Sequence, residues 1–137
     1  TYQPIHVKRI ATQVPRCMNK PECKTYPSGN KHWFLNGERH REDGPAIERA
    51  NGTKEWFLNG EHHREDGPAV EYANGTKAWW LNDKLHREDG PAVEYSNGDK
   101  YWYLNDEEVD PETIVDLWLA KNIYCFYNVE TDCLEFE

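Results

Sequence analysis

Hydrophobic and polar positions alternate along much of this chain in runs of five or six residues, as in Ala69 to Ala73 and Thr76 to Leu81. A period of two over so short a run predicts a strand with one buried face. Each run stops at a turn signal. Asn59-Gly60 supplies both positive φ angles of a tight hairpin turn at the least steric cost, Asp66-Gly67-Pro68 breaks the chain, and Asn74-Gly75 turns it again. The pattern predicts hairpin after hairpin.

The pattern is also periodic. The string HREDGPA stands at His40 to Ala46, His63 to Ala69 and His86 to Ala92, which sets a 23-residue period. The same period links Trp33, Trp56, Trp79 and Trp102, the leucines two positions after them, and Gly29, Gly52, Gly75 and Gly98. Full copies occupy 33–55, 56–78 and 79–101, with partial copies at about 23–32 and at 102–109. The expected fold is mainly β: an antiparallel meander of tandem 23-residue β-hairpin repeats, each stacked on its neighbours, with a C-terminal helix plus hairpin cap. Residues 1–109 hold an N-terminal arm and the repeats, and 110–137 hold the cap, in one compact domain.

Successive side chains on a strand point to opposite faces. The Trp column, with its leucines, therefore reads as core packing. Phe34, Phe57, Trp80 and Tyr103 form a second column on the other face, either packed under a covering segment or exposed as a contact stripe. The covering segment would be the extended stretch Thr1 to Lys24, which is punctuated by Pro4, Pro15 and Pro21 and has Ile5, Val7 and Ile10 as a possible strand.

Beyond the repeats the period changes to that of a helix over 110–122. Asp110 is a good N-cap, Pro111 fits the first helical position, Glu112 suits the positive end of the dipole and Asn122 can end it. Ile114, Leu117 and Trp118, flanked by Val115 and Leu119, form an apolar stripe that should be buried against the end of the stack. Ile123 to Tyr127 and Leu134 to Phe136 then read as a final hairpin, which would place Cys125 opposite Cys133 in a geometry that permits a disulfide.

Composition narrows the functional classes. The 137 residues are 37% hydrophobic and 13% aromatic, enough for a core, and carry a net charge of −9. Nucleic acid and anionic membranes both demand a basic face, so neither is an expected partner. The charge is uneven: residues 1–32 hold six basic side chains and one acidic, whereas 102–137 hold one basic and ten acidic. No signal peptide or membrane span is visible, and four cysteines without knuckle spacing predict reduced thiols in a cytoplasmic protein rather than a zinc site. If the protein is viral, the compartment would be the host cytoplasm.

The HRED segment groups potential acids, bases and an anion clamp. Three copies at a structural period argue for a local structural role instead. Asp43, Asp66 and Asp89 can accept turn amides, and His40, His63 and His86 can ladder along the stack. No catalytic residues, metal ligands or cofactors are expected.

The order W..NG..H...G followed by NG.K and the next Trp, at a 23-residue period over about residues 23–109, resembles the MORN class of β-hairpin repeats. The copy WFLNGEHHREDGPAVEYANGTKA at 56–78 differs by the Leu before Asn59, the DGP turn and a shifted second NG, so it looks like a variant MORN-like repeat, similar to repeats in phage and large DNA-virus proteins. The resemblance implies an elongated scaffold for protein contacts, sometimes phospholipid contacts, with no catalytic residues. The expected function is a non-enzymatic protein–protein interaction module. The alternative is a small acidic virus- or phage-type inhibitor that blocks a nucleic-acid-binding host enzyme. The expected contact residues are Trp80, Tyr103, Asp106, Glu107, Glu108 and Asp110, the partner a protein with a basic surface, and a homodimer is possible.

Overall fold

The structure is a computed structural model that describes residues 20–135, with side chains through residue 123. It is mainly β, an antiparallel meander followed by one C-terminal helix. The strands are β1 (Glu22–Thr25), β2 (Lys31–Leu35), β3 (Glu38–Arg39), β4 (Ile47–Glu48), β5 (Lys54–Glu55), β6 (Phe57–Leu58), β7 (Glu61–His62) and β8 (Val70–Glu71). They continue as β9 (Lys77–Ala78), β10 (Trp80–Leu81), β11 (Lys84–Leu85), β12 (Val93–Glu94), β13 (Lys100–Tyr101), β14 (Tyr103–Leu104) and β15 (Glu107–Glu108). The helix α1 spans Pro111–Glu135.

Each copy feeds two ladders. The long sheet runs β1-β2-β4-β5-β8-β9-β12-β13, with β3 beside β2, while β6-β7, β10-β11 and β14-β15 are separate hairpins. The chain leaves the long sheet at Trp56, Trp79 and Trp102, where the pairing breaks. Trp56 N donates to Ala69 O at 2.7 Å, and Trp79 N to Ala92 O at 2.7 Å. Two bonds tie successive hairpins together: Asp83 N to His62 O at 2.9 Å and Arg64 N to Trp80 O at 3.2 Å, with equivalents in the next copy. The hairpin turns are as the Asn-Gly pairs predict, with Asn59 at φ 52° and Gly60 at φ 82°. In the last two copies an Asp replaces the Gly and keeps positive φ, 65° at Asp83 and 69° at Asp106.

The core is narrow. Ala46, Ala69 and Ala92 are fully buried, with Ile47, Phe57, Val70, Ala78 and Val93 beside them. Burying a side chain the size of Val or Ile stabilises by roughly 1.5–3 kcal/mol. Thr53 and Thr76 are also buried, and their hydroxyls accept the amides of Ala73 and Ser96, each at 3.1 Å, one copy further on.

Several expectations need correction. The Trp column is half-buried, and the most buried aromatic among the described residues is Phe57 of the other column. The strand expected over Thr76 to Leu81 is split at Trp79. The final hairpin does not form, because α1 continues past Asn122 to Glu135 with neither Gly nor Pro to stop it. Asn122 sits inside the helix, its Nδ2 donating to Trp118 O at 2.7 Å. Along a helix Cys125 and Cys133 lie about 12 Å apart in axial rise, not face to face. The apolar stripe is buried only at Ile114; Trp118 is 52% exposed and Val115, Leu119 and Ile123 are exposed too. The expected strand and covering arm at 1–19 lie outside the described residues, as does the Cys17 thiol.

Candidate functional site

The HRED turns are small charge-packed units. Arg64 Cζ lies 3.9 Å from the centre of the Trp56 ring, and the same stack recurs for Arg41 on Trp33 at 4.0 Å and Arg87 on Trp79 at 3.9 Å. Guanidinium over indole is favourable electrostatically and covers the ring face. Arg64 Nε donates to Asp66 Oδ1 at 3.0 Å, and its Nη1 donates to Pro68 O at 3.1 Å and to Glu71 Oε2 at 2.8 Å. Asp66 therefore accepts from the arginine rather than from a turn amide. The turn glycine makes room: a Cβ on Gly67 would lie 3.0 Å from Arg64 Cζ, and one on Gly90 2.8 Å from Arg87 Cζ.

The histidines join copies through the backbone. His40 Nδ1 accepts the amide of Asn59 at 2.9 Å, His63 that of Asn82 and His86 that of Asn105, each at 3.1 Å. Each link therefore needs an unprotonated Nδ1. In the partial last copy, Val109 N still donates to Trp102 O at 2.9 Å, as the histidines do to their own tryptophans. Asp110 then stands where the other copies have Arg, and α1 begins in place of a DGP turn.

Stacking these turns leaves grooves between them. One, of about 700 Å³, lies between the turns at Arg41–Gly44 and His63–Asp66, with Trp56 and Leu58 as apolar floor. A second, of about 630 Å³, repeats it one copy further on, with Trp79 and Leu81 as floor, and gains a wall from α1 through Leu117, Trp118, Lys121 and Asn122. Lys121 Nζ donates to Glu88 Oε1. That bond, then the one from His86, holds the Glu88 carboxyl below the ordinary carboxylate range. The Arg41 guanidinium does the same for Asp43.

On the opposite face the copies diverge. Arg49 Nη2 meets Glu55 at 2.6 Å, His62 Nε2 meets Glu55 at 3.4 Å, and His62 Nδ1 meets Asp83 at 3.2 Å. The His62 bond, followed by Arg49, lowers the Glu55 carboxyl. One copy later the positions of Arg49, Glu55 and His62 hold Tyr72, Ala78 and Leu85, and a smaller cavity of about 340 Å³ opens beside Trp80 and Tyr95. Nearer the N-terminus, His32 lies 4.8 Å from the ring of Tyr26, both its ring nitrogens buried without partners, and burial lowers its pKa.

The residues expected to bind lie on the last two hairpins, which Leu85 and Asp106 join, and at the start of α1, and they have different tasks. Trp80 is half-buried with its ring 5.3 Å from that of His62 and its Nε1 enclosed without a partner. Tyr103 sits opposite Glu108 in the last hairpin, and burial, then Glu108, raises its pKa. Asp106 has a structural task, its Oδ1 accepting Leu85 N at 2.7 Å. Glu107 and Glu108 are exposed on β15, and Asp110 is exposed at the start of α1, where its carbonyl accepts Thr113 N at 3.0 Å. Reading the sequence alone does not single out the groove residues Trp56, Leu58 and Glu65 as contact residues. The signal available is the repeat itself, which sets equivalent side chains one copy apart.

Among the described residues no three His, Cys, Asp or Glu side chains converge as a metal ion would need, and no helix is long and apolar enough to cross a membrane. No protein-family model matches the chain, and no curated protein matches it.

Proposed function

We propose that this protein is a non-enzymatic protein-interaction module and that its contact surface is the grooved face of the HRED turns. The observation that carries the reading is the recurrence of one groove at the repeat spacing, with α1 as a wall in one instance and open in the other. Aromatic and aliphatic floor between charged rims is the composition of an interface centre. The groove arginines are each engaged by a tryptophan, two acids and a carbonyl. That arrangement supports a scaffold role and not acid–base chemistry. The MORN-like pattern of the repeats supports the same reading.

The test is capture from an extract of the cells that make the protein, using the full chain and two variants. Partners should be retained by Glu107→Lys/Glu108→Lys and lost with Glu42→Lys/Glu65→Lys. Retention by both variants would overturn the groove as contact surface. A second reading rests on the exposed acids Glu107, Glu108, Glu112 and Asp116 around the last strand and the start of α1. An acidic inhibitor of a nucleic-acid-binding enzyme would show the reverse dependence on the two variants, competition by nucleic acid and a steep loss of binding with salt.

A further inference from the structure

Resting on the interaction reading, we propose that the open groove receives an amphipathic α-helix of a partner protein, one that presents a large apolar pair and, one turn later, a lysine. Every residue lining the open groove has its counterpart, one copy further on, in the groove that α1 walls. The molecule thus displays, at the second groove, a helix that this surface accommodates. That helix brings Leu117 and Trp118 to the groove and sets Lys121 on Glu88.

Charge selects the cation. Arg41 and Arg64 are held by Asp43 and Glu48 and by Asp66 and Glu71. Glu42 and Glu65 stand at the position of Glu88 in the two earlier copies, both exposed, and neither meets a lysine or arginine among the described residues. Among the described residues Glu65 on the rim of the open groove has no cationic partner, and a partner lysine reproduces there what Lys121 does at Glu88.

Backbone geometry selects the helix. Adding a strand needs free amides along an edge, but Arg41 N already donates to Phe57 O and Arg64 N to Trp80 O. The groove offers side chains only. A helix, whose own backbone groups are satisfied internally, meets that condition.

The probe is a synthetic peptide of residues 110–123, which retains the Asp110-Pro111 start, titrated into the full chain by calorimetry. Saturable binding of one peptide per chain is expected, since the tethered α1 holds its own place at a high effective concentration. Glu65→Lys, on an exposed side chain, should weaken the complex by about tenfold or more, the scale of one charged pair. A peptide carrying Lys121→Glu should restore binding to that variant. Absence of saturation up to about 1 mM, the weakest affinity worth a specific site, would overturn the helix proposal, as would binding indifferent to the charge exchange. If capture still depended on Glu42 and Glu65 after such a failure, the interaction reading would stand with a different occupant. Sedimentation of the chain alone separates the remaining case: a monomer supports a partner's helix, and a dimer abolished by Glu65→Lys would assign the groove to a second copy and overturn the proposal.

Discussion

The turn face and the opposite face of the repeats are made by the same three copies under different constraints. On the turn face the arginine–tryptophan stacks are nearly identical, at 4.0, 3.9 and 3.9 Å, and each arginine holds the same acids and carbonyl. On the other face the corresponding trio runs Arg49, Glu55 and His62, then Tyr72, Ala78 and Leu85, then Tyr95, Tyr101 and Glu108. The first trio is a hydrogen-bonded network, the second borders a cavity, and the third pairs Tyr95 edge-on with Tyr101 at 5.8 Å. The arginine stack is completed within each copy and recurs because each copy builds the same turn, while the histidine beside it reaches the next copy. On the other face the first trio also joins copies, through His62 to Glu55 and Asp83, but Leu85 and Glu108 stand at the His62 position later, so the choice there is open.

The largest test of this contrast is Trp56→Ala, which removes the ring under Arg64 and opens a hole beneath the turn. It should cost about 3 kcal/mol, the low end for a Trp because the ring is half-buried, while Glu61→Ala in the neighbouring turn stays under about 0.5 kcal/mol; urea melts compare them. Arg64→Lys comes next. Lysine keeps the charge but loses the planar fork and the stack, so a loss of about 1–2 kcal/mol is expected, against under about 0.5 kcal/mol for Arg49→Lys on the exposed network. Equal losses would erase the distinction between the faces.

Asp106 joins two copies from a strained turn position. Asp106→Ala loses the acceptor for Leu85 N and puts a methyl side chain at positive φ, for about 1–2 kcal/mol. Asp106→Asn retains both the acceptor and the tolerance of that conformation and should change thermal stability by under about 0.5 kcal/mol. The smallest effect is electrostatic. The folded Glu55 carboxyl lies below its ordinary value, so the unfolded chain binds more protons as the pH falls below about 4.5. That part of the stability is present above the ordinary value and fades as the pH drops through the lowered one. Glu55→Gln should therefore flatten the acid limb of a stability–pH curve, whereas Ala78, at the same place in the next copy, contributes nothing there.

The strand pattern and the turns were legible because their causes are local: alternation of side chains and the φ demands of Asn59-Gly60. The seat of the HRED arginine was not, since Arg64 reaches back to Trp56 and forward to Glu71 across a chain reversal. The same limit hid the groove, whose floor and rims come from different copies. The C-terminal segment misled for the opposite reason. Ile123, Tyr124, Phe126 and Tyr127 favour strands by intrinsic preference, yet nothing after Asn122 interrupts the hydrogen-bonded ladder of a helix already begun at Pro111. Among the acidic candidates, acidity alone does not separate Asp106, engaged by a backbone amide, from Glu107, which is exposed.

The bonds made by each histidine and each hairpin turn reach only the adjoining copy, as His40 does to Asn59 and His63 to Asn82. A chain built this way is a ruler with a fixed graduation. Lengthening it by one repeat unit inserts one more junction between HRED turns, and hence one more groove at the same pitch, without disturbing those already present. Valency would then be counted in copies, and a partner with two suitably spaced helices would gain avidity from each unit added.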